Sequence, residues 1–346
     1  MAEAVPDISV VISTYNRCLI LPEALESVLR QETDGVTYEV IVVDNNSTDD
    51  TRSVIESFVR TTDGKIRYLF EGKQGLSHGW NAGIEASSAP IIAFTDDDII
   101  VSKDWIANVK KAFELHEDIS FIGGKMLPVW PSERPKWLVR EMWAPLALQD
   151  SETQFFTDEN NPICLLNKCF RREAFDAVGG FKPELGRIKD GIGSIEDDEL
   201  QRRLWKSGRR GLHVPDLVVH CPVDAKRMTK SYFRAWHKGH GRHYAIMRES
   251  GFERSRGRLF DVPLHLYRQA MAAAWSWAAN MLSGNPNRAF SYEVRLQFCR
   301  GFFYQRRKDF RTAQEGVGGG TVKEFMRFAK SLLSDEREST GSGGTG

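Results

Sequence analysis

Carboxylates dominate the chemistry this 346-residue chain can offer, and they stand in short clusters directly after apolar runs. Asp96, Asp97 and Asp98 follow the run that ends at Phe94. Asp96 and Asp98 can present hard oxygen ligands to Mg²⁺ or Mn²⁺, cations that bind through one or two carboxylates completed by substrate phosphates. The competing reading is a solvated acidic turn capping a helix near Ser102, but adjacent acids at a strand end repel one another without a cation. Asp44 follows a second apolar run, where it can accept a hydrogen bond from a nucleobase or ribose, or simply form a turn. Glu196, Asp197, Asp198 and Glu199 follow a Gly-rich stretch. One of them can take a proton from a substrate hydroxyl, or the block can be an acidic first helical turn favoured by the dipole. His220, ahead of Cys221 and Pro222, can be a third metal or phosphate ligand, or a structural histidine. Gly75, Gly79 and Gly83, with Asn81 among them, permit a ligand to approach the backbone closely. Their run matches neither a dinucleotide fingerprint nor a P-loop.

The elements that must position these residues follow from apolar spacing. Residues 8–12 are a β-branched run that predicts a strand, ended by Ser13, Thr14, Tyr15 and Asn16. Across 19–31, Leu21, Leu25, Val28 and Leu29 recur at helical spacing. Residues 39–43 predict a second strand, 44–49 a polar turn, and 50–60 a helix with Thr48 or Asp49 as N-cap. Strand, helix and strand follow at 66–70, 77–86 and 90–94. Continuous apolar strands separated by helices imply a parallel sheet covered on both faces, whose ligands sit beyond the carboxyl ends of the strands. The clusters at 14–17, 44–49 and 96–98 are therefore expected in one crevice.

The second half is less regular. Residues 119–124 predict a strand before a Pro- and Trp-rich stretch to about 145; an apolar run at 163–166 precedes a short helix at 171–175. A Gly-rich loop reaches Ser194, a helix is expected over 196–207, and a strand over 217–220. Beyond Asp224, Tyr232, Phe233, Trp236 and Tyr244 alternate with Lys230, Arg234, Lys238 and Arg242. Residues 262–282 are apolar but carry His265, Arg268 and Gln269, so they are not a clean span of about 20 apolar residues. Trp275 and Trp277 cannot share one helical stripe; an interfacial or docked helix fits better. From Glu336 the sequence is low in complexity.

Composition narrows the class. With 41% hydrophobic and 27% charged residues, the chain is neither disordered nor collagenous. Five cysteines without a CxxC pair argue against structural zinc or a disulfide framework, and for a reducing compartment. No secretory leader is visible in the opening residues. The net charge of zero conceals a split: residues 1–223 carry 25 Lys+Arg against 36 Asp+Glu, and 224–346 carry 22 against 11. Such a split points to membrane or nucleic-acid contact for the basic part, or to two lobes that attract.

The ordered motifs VVISTYNR, EVIVVDNNSTDDT, GLSHGWNAGIEAS, FTDDD and GGFKPELG…IEDDELQRRLWKSG, over residues 7 to about 222, resemble those of family 2 glycosyltransferases. The resemblance implies a GT-A, Rossmann-like fold: a mixed, mostly parallel sheet with helices on both faces. It would form a catalytic domain over 1–223, with a nucleotide-sugar half to about 124 and an acceptor half over 125–223. A basic, aromatic helical extension at 224–335 and a flexible tail at 336–346 follow. The implied activity is hexosyltransferase-like, inverting transfer of a sugar from a nucleotide-diphosphate donor to an acceptor hydroxyl in polysaccharide or glycolipid synthesis. A UDP-sugar is the first expectation and a GDP-sugar the second, with Mn²⁺ or Mg²⁺.

By the same resemblance, Thr14, Tyr15 and Arg17 match the nucleotide-contacting loop, and Asp44 the acid that reads the base. Asp96 and Asp98 match the outer acids of a metal-binding DxD motif, and Asp197 the catalytic base, with Asp198 as its rival. His220, Arg227 and Lys230 match the stretch over the diphosphate, and Asn81 joins the donor-contacting set. The acceptor is expected to be a glycan or lipid-linked glycan. The basic extension either touches the inner face of the cell membrane from the cytoplasm or packs on the catalytic lobe or in a homo-oligomer; a nucleic-acid partner is not expected. A metal-dependent nucleotidyl or phosphoryl transferase and a non-catalytic nucleotide-sugar-binding protein are the competing functions.

Overall fold

The structure, a computed structural model, describes residues 4–159, 161–163, 167–186, 195–248, 251–254 and 257–315. Most of the apolar run at 163–166, the Gly-rich stretch from 187 to Ser194, the extension beyond 315 and the tail from Glu336 lie outside the described residues. The chain divides into two compact units, Met1–Thr229 and Lys230–Gly346.

The first unit runs β1 (Ile8–Thr14), α1 (Leu21–Leu29), β2 (Tyr38–Asp44), α2 (Thr51–Thr61), β3 (Ile66–Phe70), α3 (Leu76–Ala86), β4 (Ile91–Phe94), β5 (Ile100–Val101), α4 (Trp105–Leu115) and β6 (Ile119–Val129). It continues with β7 (Phe155–Phe156), β8 (Lys168–Arg171), α5 (Arg172–Val178), α6 (Glu196–Lys206) and β9 (Arg210–Pro222). One sheet takes the order β3-β2-β1-β4-β8-β6-β9-β5, with β7 also on β9. Its long ladders, among β1 to β4 and between β6 and β9, are parallel. β8 is inserted antiparallel between β4 and β6.

Continuous burial explains the central strands: every residue of β1 and β4 is buried, the pattern of strands covered on both faces. β1 extends two residues past its expected end, because Ser13 and Thr14 continue the ladder against β2 with Thr14 opposite Asp44. α1 buries Leu21, Ala24, Leu25 and Val28 behind a proline in its first turn. The expected N-cap of α2 is corrected in part. The residue before the helix is Asp50, which makes no side-chain cap, while Asp49 accepts the Thr51 amide at 3.0 Å.

β6 and β9 run well beyond the expected 119–124 and 217–220. Prolines 128, 215 and 222 read as breaks in sequence, but the two strands pair from Ile119–Arg210 to Val129–Pro222 by shifting register after Ile119 and Gly124. Phe94, Phe121, Phe170, Phe175, Phe181 and Trp80 fill the core between sheet and helices, with Phe94 and Phe181 ring centroids 5.7 Å apart.

The second unit comprises α7 (Lys230–Met247), β10 (Arg258–Leu259), β11 (Val262–Pro263), α8 (Leu264–Leu282) and α9 (Pro286–Glu315). Sequence spacing missed α9, whose aromatic and basic residues recur on several faces instead of one stripe. Two glycines let helices meet backbone to backbone: a Cβ at Gly241 of α7 would lie 2.1 Å from the Phe298 carbonyl oxygen, and one at Gly301 of α9 would lie 1.9 Å from that of Lys238. Arg306, fully buried, pairs with Glu253 and Asp261 and fastens α9 to the segment before α8. Burial pushes His237 and His240 down to about 4, so both are neutral at pH 7.

Candidate active site

The carboxyl ends of β1, β2 and β4 are neighbours in the sheet, and their loops are tied to one another. The Thr14 hydroxyl donates to Asp97 Oδ2 at 2.7 Å, and Arg17 Nε stands 3.9 Å from Asp97 Oδ1. Thr14 and Asp97 are buried, whereas Asp96, Asp98, Tyr15 and Arg17 are partly exposed. The middle acid is therefore an internal anchor, and the flanking pair faces outward. Thr14 is corrected accordingly. Its hydroxyl is committed to Asp97 inside the protein, so it holds the acidic loop in place instead of reaching a ligand.

The first two loops form one platform. Asn16 donates its amide to Ser47 Oγ at 3.0 Å and accepts the Thr48 amide at 2.7 Å, while the Arg17 amide donates to Thr51 Oγ1 at 2.9 Å. Asn16 and Asn46 adopt φ of 53° and 66°, a region asparagine tolerates better than most residues. Asp44 is 2% exposed; its oxygens accept the Ser47 amide at 2.9 Å and the Tyr68 hydroxyl at 3.1 Å. Burial and the Asp44 carboxylate push the Tyr68 phenol up, so it stays protonated and donating. Each Asp44 oxygen keeps a lone pair for a further donor. Asn45, which the sequence reading passed over as turn chemistry, is buried. It donates to the Lys73 carbonyl and accepts the Gly75 amide, both at 2.7 Å, which fixes the loop into α3.

Two expectations about α3 change. Gly79 and Gly83 serve packing, not ligand approach: a Cβ would lie 2.1 Å from Ser13 Oγ at Gly79 and 2.2 Å from Val11 Cγ1 at Gly83. Gly83→Ala is expected to destabilise the protein by about 1 kcal/mol or more, because overpacking against a stiff valine outweighs the roughly 1 kcal/mol gain in helix propensity; thermal unfolding checks the sign. Asn81 is a clamp. Its amide oxygen accepts the Phe181 amide and its nitrogen donates to the Phe181 carbonyl, both at 2.8 Å, so both ends are engaged with the chain's own backbone.

Across the sheet, Lys168 begins β8 opposite Phe94 of β4, two residues before Asp96. Its side chain is 1% exposed, with Nζ 2.8 Å from Asp197 Oδ1 and 3.2 Å from the centroid of the Trp80 ring. Asp197, on the first turn of α6, keeps 27% of its side chain exposed. Desolvation pushes its carboxyl above the ordinary value, against the opposing pull of Lys168. The other acids of the block divide the work: Glu199 binds Arg203 at 2.8 Å and Lys182 at 2.6 Å, and Arg203 reaches the Gly180 carbonyl at 2.7 Å. Glu196 is buried and Asp198 partly exposed. Lys168 was missed; it opens the short strand Lys-Cys-Phe-Arg, which has a basic residue at each end and no apolar run to set the lysine apart.

His220 lies on β9 opposite Ile100, two residues after Asp98. Among the described residues, no three His, Cys, Asp or Glu side chains are gathered as a ready-made metal cage. Two outward carboxylates beside an anchored third fit a hard cation whose shell is completed by substrate phosphates. Arg227 donates to the Pro145 carbonyl at 3.1 Å in the first unit. Lys230 opens α7 in the second, with Nζ 5.0 Å from the Phe290 ring.

The chain is similar to known proteins. Residues 9–179 match the model for glycosyl transferase family 2. The glucosyl-dolichyl phosphate glucuronosyltransferase of Haloferax volcanii is 28% identical over 189 residues, 53% of this chain and 58% of that protein. The GalNAc(5)-diNAcBac-PP-undecaprenol beta-1,3-glucosyltransferase of Campylobacter jejuni is 37% identical over 95 residues, 27% of this chain and 30% of that protein. The chain thus spans little more than half, or less, of these relatives. The mannosyltransferase PcManGT from Pyrobaculum calidifontis, solved with GDP-Man and Mn²⁺, superposes with a TM-score of 0.52 at 19% identity, covering 95% of this chain and 81% of that one. This likeness establishes the shared GT-A fold.

Proposed function

Since the chain belongs to glycosyl transferase family 2, we propose that it is an inverting glycosyltransferase. It moves a sugar from a nucleotide-diphosphate sugar to the hydroxyl of a glycan or lipid-linked acceptor. The observation that carries this reading is Asp197, a partly exposed carboxylate whose pKa burial raises and Lys168 opposes. Its lysine partner borders the strand that leads into Asp96 and Asp98.

In this reading Tyr15, Arg17 and Asp44 surround the nucleoside on a platform already rigid before ligand arrives. Asp96 and Asp98, with His220 on β9 opposite Ile100 as the further candidate, would hold Mn²⁺ or Mg²⁺, and a bound ion would neutralise charge on the diphosphate. Arg227 adds positive charge for the departing nucleoside diphosphate. Asp197 accepts the proton of the acceptor hydroxyl as its oxygen attacks the anomeric carbon on the face opposite the leaving group. A carboxyl above its ordinary range is better matched to that proton than an exposed aspartate. The GDP-Man and Mn²⁺ in PcManGT and the lipid-linked glycans named for the two relatives support the donor and acceptor classes. In the same reading the protein works at the inner face of the membrane through residues 224–335, where the basic residues are concentrated.

A calorimetric or thermal-shift panel of UDP-, GDP- and dTDP-sugars with Mn²⁺, Mg²⁺ or EDTA tests donor binding. One nucleotide class is expected to stabilise the protein, and EDTA or Asp98→Asn to remove that stabilisation. Stabilisation unchanged by EDTA would refute the metal assignment, and no response to any donor would refute the donor site.

A further inference from the structure

We infer that the α8–α9 face of the second unit is a docking site for anionic phospholipid headgroups, with α8 lying in the interface of a bilayer. The inference rests on the peripheral-membrane part of the reading above and assigns that contact to particular residues.

A groove of about 730 Å³ runs along α9, with Ala270 of α8 at its side. Arg300, Phe303, Tyr304, Arg307, Lys308 and Arg311 line it, recurring at three and four along one helical face. Its four cations are exposed, and none is in an ion pair with another described residue, unlike neighbouring Arg306, which is buried and paired twice. Among the described residues no carboxylate lines the groove. The second unit has the matching charge: residues 230–346 carry 20 Lys+Arg and 10 Asp+Glu, a net +10.

α8 supplies the apolar half. From Ala270 to Leu282 it has no charged residue. Met271 is 65%, Trp275 80% and Leu282 90% exposed, spaced to share one face, while the adjacent face that begins at Ala270 carries Trp277 and Met281, both exposed. No described helix is long and apolar enough to cross a membrane. A helix with an exposed Trp, Met and Leu face beside a row of unpaired cations has the composition of one that lies in the headgroup region. Nucleic acid would use the cations and Tyr304 but has no use for Leu282 or Met271. A self-complementary dimer through this face would bring the same four cations against their copies.

The test is sedimentation of the full chain with vesicles of phosphatidylcholine alone or mixed with phosphatidylglycerol. Wild type is expected to partition to the anionic vesicles, less so at high salt. Arg300→Gln, Lys308→Gln and Arg311→Gln combined should weaken partition about 10²-fold, at about fivefold for each cation near the surface. Trp275→Ser with Leu282→Ser should weaken it independently of salt. These side chains are exposed, so thermal unfolding should stay at the wild-type midpoint and donor binding should be retained; the latter separates failure here from failure of the donor site. Equal partition to neutral and anionic vesicles would overturn the inference. So would wild-type partition by the cation variant, or binding of glycerol phosphate or a single-stranded oligonucleotide through these residues without vesicle binding.

Discussion

Asp197→Asn is expected to bind the nucleotide-sugar donor as wild type does and to lower turnover by at least about 10²-fold, the scale of losing a general base. The substitution keeps shape and hydrogen-bonding capacity while removing the proton acceptor. Steady-state transfer rates beside donor calorimetry separate the two effects. If Asp197→Asn turns over normally while Asp198→Asn does not, the base is the neighbour.

The second large effect concerns Lys168. Its ammonium is enclosed by Trp80, Phe94 and Phe181 and ends on Asp197. In Lys168→Met the desolvation that raises the Asp197 carboxyl loses its main opposition. The base is needed ionised, so the acidic limb of kcat/KM should move to higher pH, and turnover near neutrality should fall by about 10–10²-fold as the carboxylate also loses its positioning. Raising the pH should recover part of the loss. A purely structural defect would lower activity alike at every pH, and a limb that stays in place would remove Lys168 from the account of the base. Stability itself should change less than in a fully buried pair stripped of one partner, because methionine suits the aromatic pocket and Asp197 retains solvent contact.

Where the sequence was legible, the reason is local. β4 is an uninterrupted apolar run and β1 is apolar from Val10 to Ile12, so the polar residues after them must lie at the carboxyl ends, and the shared crevice followed. The acidic block 196–199 announced itself as acids opening a helix, and the family resemblance pointed to Asp197 within it. What stayed hidden depends on partners far along the chain. Lys168 is defined by Trp80 and Asp197, Asn81 by Phe181, and Gly83 by Val11, and no window of sequence around any of them contains its partner. Thr14 illustrates the same point inside the motifs: its type and place suggested ligand chemistry, but its hydroxyl is bonded to Asp97. α9 falls inside the helical extension expected over 224–335 but had no bounds of its own in the sequence, since it packs aromatic residues on one side and presents cations with Tyr304 on another, leaving no single apolar stripe.

The most direct test of the central claim is to identify the phosphorus-containing product formed from the stabilising donor, by ³¹P NMR with wild type and Asp197→Asn. Sugar transfer predicts release of the nucleoside diphosphate by wild type and its near absence in the variant. Release of the nucleoside monophosphate or of a sugar phosphate, undiminished in Asp197→Asn, would mean attack at phosphorus. That result would contradict glycosyl transfer and make the acidic crevice that of a nucleotidyl or phosphoryl transferase.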